Sequence, residues 1–134
     1  MSFKSFEEID AWKLSRELCL DIFEIMQTDG LRADFALKDQ INRSSGSIMD
    51  NISEGFERNG NKEFIQHLSI AKGSAGEARS QLTRIFDRKY ITEDQFQQLS
   101  LKLRNISGKL QNQITYLKNS DLKGPKYKPW TLNF

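Results

Sequence analysis

Phe96, Leu99, Leu103, Ile106, Leu110, Ile114 and Leu117 follow one another at intervals of 3, 4, 3, 4, 4 and 3 residues. An α-helix gathers such a series onto one stripe, whereas a strand would scatter it over both faces. Thr92-Glu93-Asp94-Gln95, just ahead of the stripe, has the form of a capping box, which fixes where the helix starts. A helix with one long apolar stripe must bury it against other helices.

Three further segments supply partners. The first helix is expected from about Glu7 to Gln27, with Leu14, Leu18, Ile22 and Ile25 on one stripe and Trp12, Cys19, Phe23 and Met26 on a second beside it. Asp29-Gly30 is read as its breaker. The second spans about Ala33 to Arg58, with Leu37, Ile41, Ile48, Ile52 and Phe56 at helical period and Ser44 and Ser45 filling the gap. The third starts with Asn61 as N-cap and carries Phe64, Leu68, Ala71, Ala75, Ala78, Leu82 and Ile85 inward. Its middle (Gly73, Ser74, Ala75, Gly76, Ala78) is as small as Ser44 to Ser47 in the second, so these two helices are expected to pack closely together.

The short links around Gly30, Gly60 and Tyr90-Ile91 favour antiparallel neighbours. The expected architecture is therefore all-α, an antiparallel up-down-up-down four-helix bundle over residues 1–118. A basic and aromatic tail follows over 119–134, where Pro125 and Pro129 break helix and Tyr127, Trp130 and Phe134 interleave with lysines.

The chain has 134 residues, enough for one domain with a substantial core, and no apolar run approaches the roughly 20 residues of a membrane span. The start, Met1 to Glu8, reaches acidic residues too early for a secretory signal. One cysteine, Cys19, excludes an intrachain disulfide scaffold, and a reducing cytoplasm is the expected compartment. The net charge of +2 hides an asymmetry: residues 1–60 carry 7 Lys/Arg against 12 Asp/Glu, and residues 61–134 carry 13 against 6. Such a molecule can present a basic face while nearly neutral overall.

Arg43, Ser47, Asn51, Glu54 and Arg58, spaced by 4, 4, 3 and 4, share one side of the second helix beside its apolar stripe. A helix–helix or subunit salt-bridge network is the expected role, ahead of a ligand contact or a solvated face. Glu63 and His67 lie four apart, but a di-metal bundle site needs several inward carboxylates and paired Glu-x-x-His motifs, and the chain has one histidine. That single imidazole also leaves no supported Ser/His/Asp set. Gly73-Ser74-Ala75-Gly76 lies inside a helix and lacks the Gly-Lys-Ser/Thr ending of a phosphate loop. No catalytic, metal or cofactor site is expected. Nucleic-acid contacts, if made, would fall on Lys72, Arg79, Arg84, Arg88 and Lys89 of the third helix, Lys102, Arg104 and Lys109 of the fourth, and Lys123, Lys126 and Lys128 of the tail.

The stretch Gln40 to Arg58, with Asn51-Ile52-Ser53-Glu54-Gly55-Phe56-Glu57-Arg58 at its centre, resembles the signature of the 23S rRNA-intervening-sequence proteins. Lys62-Glu63-Phe64, Ile70 to Ser74, Glu77 and Leu82 follow in that family's order, and Phe6 to Ser15 resembles its opening. The likeness covers roughly residues 4–117. Ser53 stands where the family usually has alanine, and the tail runs beyond the usual end. The resemblance implies a four-helix bundle, commonly a homopentamer, with no established enzymatic activity, and it adds Glu77 to the polar set. It also implies kinship in fold with the accessory variability determinant of diversity-generating retroelements, which binds a reverse transcriptase and nucleic acid. The expected function is a non-enzymatic homo-oligomeric scaffold or adaptor whose partner is RNA or an RNA-handling protein. The alternatives are a purely protein-directed assembly module and, less favoured, a small-molecule or catalytic bundle.

Overall fold

A computed structural model describes residues 3–123. After a 3-10 turn at Phe6–Glu8 come α1 (Asp10–Ile25), a short α2 (Asp29–Ala33), α3 (Phe35–Glu57), α4 (Asn61–Asp87) and α5 (Glu93–Lys123). The fold is all-α, and no strand occurs among the described residues. The four long helices pack in a ring: α1 touches α3 and α5, α3 packs most extensively on α4, and α4 on α5. Neighbours run antiparallel, since cross-helix bonds advance along α3 (Ser44, Ser47, Asn51) as they retreat along α4 (Gln81, Ser74, His67).

The capping signals act as local chemistry requires. Thr92 Oγ1 accepts the Gln95 N–H at 3.1 Å while the Gln95 side chain accepts the Thr92 N–H at 2.9 Å, closing the expected box at the head of α5. Asp34 caps α3 by accepting from the Leu37 N–H. The fourth-helix stripe is buried apart from Phe96, which is half-buried, and it meets Leu18, Ile22, Ile41, Ile48, Leu68 and Leu82 in one core.

Several boundaries differ from expectation. Asp29-Gly30 does not break the first helix; α1 has already ended at Ile25, and Gly30 lies inside α2. A Cβ on Gly30 would sit 2.2 Å from the Tyr90 ring, so close approach explains the glycine. The N-cap of α4 is Gly60, at φ 155, and Asn61 is the first helical residue. The second stripe of α1 is shallower than expected. Phe23 is 62% exposed, while Trp12 and Cys19 are half-buried. Ala11 and Ser15 are buried instead, with the Ser15 hydroxyl donating to the Ala11 carbonyl at 2.6 Å. In the small middle of α4 only Ala75 and Ala78 face inward; Gly73 and Gly76 are exposed, because the inward arc of a helix takes in only some of four consecutive residues. Helix α5 continues six residues past Leu117 to Lys123. The expected tail beyond it, with Lys126, Lys128 and the aromatics, lies outside the described residues.

Candidate functional site

Helix α4 has two outward edges of different chemistry, one toward α3 and one toward α5. On the α3 edge, Ser44 and Ser45 are buried. Ser44 Oγ donates to the buried Gln81 Oε1 at 2.6 Å, a fixed point in the register. Farther out, the Asn51 amide donates to the Ser47 carbonyl at 2.8 Å and to its hydroxyl at 3.0 Å, and Ser74 Oγ lies 3.0 Å from Ser47 Oγ. His67 Nδ1 lies 3.1 Å from the Asn51 oxygen and 3.9 Å from Glu54, whose other oxygen accepts from Arg58 at 3.1 Å. The seam is therefore a polar ladder, Ser74–Ser47–Asn51–His67–Glu54–Arg58.

Four of the five polar residues of the second helix stand in that ladder. Arg43 does not; it donates to Asp39 on its own helix at 2.9 Å. Glu77 is exposed and has no side-chain partner among the described residues. Glu54 is 54% exposed, farther from the core than its neighbours Ile48 and Ile52 suggested. His67 and Ser74 are the members that sequence reasoning passed over. The signal that could have found His67 is Gly55, where a Cβ would lie 2.6 Å from the His67 Cβ. The imidazole side of α4 thus packs directly on the backbone of α3. Elsewhere on the α1–α3 contact, burial pushes the Cys19 thiol above its ordinary 9.0; the Ser45 hydrogen bond opposes this and the Asp50 charge adds to it.

The basic residues divide into bound and free. Arg88 pairs with Asp34, which also accepts the Tyr90 hydroxyl at 3.0 Å. Burial alone would raise the Asp34 carboxyl, but the hydrogen bonds from Arg88, Tyr90 and the Leu37 N–H outweigh it and hold the group below its ordinary 3.8. Lys102 pairs with Asp21 of α1 at 2.7 Å. Arg84 donates to Gln40 of α3 at 2.8 Å, and Lys72 to Gln111 of α5 at 2.7 Å. Lys89, exposed, sits in the left-handed region at φ 62, where the chain turns from α4 toward α5. Lys109 follows Lys102 by two helical turns and so lies on the same edge of α5. Arg79 and Arg104 remain, without an ion-pair or side-chain hydrogen-bond partner among the described residues. Both line a hollow of about 310 Å³ between α4 and α5, together with Gly76, Ser80, Thr83 and Ser100.

No group of three or more His, Cys, Asp or Glu that could hold a metal occurs among the described residues. No helix there is long and apolar enough to cross a membrane.

The family model of the 23S rRNA-intervening sequence proteins matches residues 7–112. Among solved structures, a protein of unknown function from the S23 ribosomal protein family of Bacteroides thetaiotaomicron is similar, at 26% identity and a TM-score of 0.71. That likeness covers 78% of this chain and 97% of the other. No curated protein matches.

Proposed function

The chain belongs to the 23S rRNA-intervening sequence protein family, and on that premise we propose that it is a non-enzymatic, cytoplasmic, homo-oligomeric adaptor that binds RNA. The observation that carries this reading is the placement of positive charge. The acidic excess lies in residues 1–60, on α1 to α3, and Lys72, Arg79, Arg84, Lys102, Arg104 and Lys109 lie on the adjacent helices α4 and α5. The α4–α5 half of the bundle therefore carries the basic excess, which supports a polyanion as partner. Each monomer offers few free cations, and a closed assembly multiplies them so that weak contacts sum. The pentamer is the subunit number suggested by the family resemblance. The link to the accessory variability determinant is a kinship in fold implied by the family resemblance alone.

Light scattering with and without a structured RNA, at low and moderate salt, tests both halves of the reading. The expected result is an oligomeric mass that rises with RNA at low salt and returns to its starting value as salt is added. A monomer would overturn the assembly; an oligomer indifferent to RNA at low salt would overturn the RNA partner.

A protein-directed scaffold is the second reading. Leu20 and Phe23, 61% and 62% exposed on the outer face of α1, favour it, since paired large apolar residues in water mark a contact surface. Leu20→Ser with Phe23→Ser is expected to lower the oligomer mass with the helical content unchanged; an unchanged mass would remove α1 from the interface.

A further inference from the structure

The α4–α5 edge holds a like-charge juxtaposition that no acidic side chain among the described residues resolves. The Lys72–Gln111 hydrogen bond and the Phe86–Phe96 ring stack (centroids 4.5 Å apart) fix the antiparallel register of the two helices. Stepping along α4 from Lys72 gives Gly76, Arg79 and Thr83; stepping back along α5 from Gln111 gives Gly108, Arg104 and Ser100. These are the one-turn intervals of a single helix edge, so Arg79 comes level with Arg104 and Thr83 with Ser100. Two guanidinium groups thus border one hollow. Neither has a carboxylate partner among the described residues. A second hollow of about 250 Å³ adjoins the first, sharing Phe96, Ser100 and Arg104, and no acidic residue lines either.

The backbone is bare at the same place. Gly76 lines the hollow, and a Cβ built on Gly76 or Gly108 would meet nothing within 4 Å. Glycine inside a helix costs roughly 1 kcal/mol relative to alanine, and at Gly55 close packing explains it. At Gly76 no contact among the described residues does, whereas an occupant lying close against the helix would.

We propose that the α4–α5 groove is a phosphate site, in which Arg79 and Arg104 grip successive phosphodiester oxygens of a single-stranded RNA segment. Ser80, Thr83 and Ser100 offer neutral hydroxyls beside them. Guanidinium forks suit phosphate oxygens, and the second hollow, lined by α5 alone, carries the first outward past Arg104, which gives a chain ligand room beyond one phosphate. The groove deepens the RNA reading of the protein and rests on it. It also withdraws Arg88 and Lys102 from the contact set, because their charges are already paired.

The test is fluorescence anisotropy with a labelled 12-nucleotide single-stranded RNA, comparing the full chain with Arg79→Gln/Arg104→Gln and with a charge-matched control, Lys13→Gln/Lys62→Gln. The double arginine variant is expected to bind at least about tenfold more weakly, and its log–log salt slope to fall by about 1.4, two contacts at roughly 0.7 each. The control is expected to change less than about threefold, as charge-matched substitutions away from the groove remove no contact. Equal weakening by both variants, or by neither, would overturn the groove while leaving RNA binding in place. Displacement of the RNA by polyglutamate at equal charge would overturn the phosphate class in favour of an acidic polypeptide. If the unaltered chain bound no RNA, the RNA reading would fail; the groove would then stand only if pyrophosphate shifted the amide resonances of Gly76 and Ser100 in that chain and not in the arginine variant.

Discussion

The Tyr90 hydroxyl donates to the Asp34 carboxylate at 3.0 Å, tying the turn after α4 to the first residue before α3. Arg88 pairs with the same carboxylate, and the Leu37 N–H donates to it as well. One side chain therefore caps a helix and clasps two points of the chain 56 residues apart.

The clasp makes stability depend on pH at both extremes. Asp34 titrates below its ordinary 3.8, so its contribution is complete above that value and is lost as pH falls through the lower folded value. The hydrogen bond to Asp34, followed by burial, raises the Tyr90 phenol above its ordinary 10.0, so its contribution is complete below 10.0 and lost as pH climbs through the folded value. Asp34→Asn is expected to lower the melting temperature at pH 7 and to flatten both limbs of the stability curve, since Asp34 is also what raises Tyr90; Tyr90→Phe should abolish the alkaline limb and weaken the acid limb only in part, because Arg88 and the Leu37 N–H still hold Asp34. Thermal unfolding by circular dichroism from pH 2 to 11 reads both.

Two helical glycines should respond in opposite directions to alanine. At Gly55 the new Cβ would lie 2.6 Å from the His67 Cβ and 3.1 Å from Phe64, so a helix must move, at a cost of about 1–3 kcal/mol. At Gly76 it meets nothing, and the helix should gain up to about 1 kcal/mol. Urea unfolding of the two variants checks this. A destabilised Gly76→Ala would mean that the position is packed after all.

Ser44→Ala should be costly for so small a change. It removes the hydroxyl that donates to the buried Gln81 Oε1 at 2.6 Å and leaves that oxygen unsatisfied, a loss of about 1–3 kcal/mol. Chemical denaturation of Ser44→Ala alongside Ser44→Ala/Gln81→Leu separates the orphaned oxygen from the lost bond, since the double variant should recover part of the loss.

Lys89 holds φ 62 without being glycine. Lys89→Gly should stabilise the fold by roughly 0.5–1 kcal/mol, because the left-handed position that ends a helix suits a residue without Cβ. A lower melting temperature for this variant would show that the lysine side chain has a structural role there.

Much of the fold was legible in the chain. The stripes of α3, α4 and α5, the capping box at Thr92 and the closeness of the second and third long helices follow from spacing and residue size, and the structure has them. The polar line Ser47, Asn51, Glu54, Arg58 was readable because those residues share one helix face. His67 was not, because a glycine at position 55 signals a close approach without saying which residue makes it. Phe23 was read as inward because it extends a helical stripe, but α1 packs less extensively on its neighbours than α4 does on its own, and its buried arc is narrower than its apolar one.

The sequence by itself determined where the helices lie and which face of each turns inward, because periodicity and capping act along a single helix. The tertiary structure alone decided what stands across each seam. The axial offset between two helices comes from how their side chains interlock, and no spacing within one helix encodes it. That offset places His67 on Asn51, Arg88 on Asp34, and Arg79 beside Arg104 with no carboxylate between them.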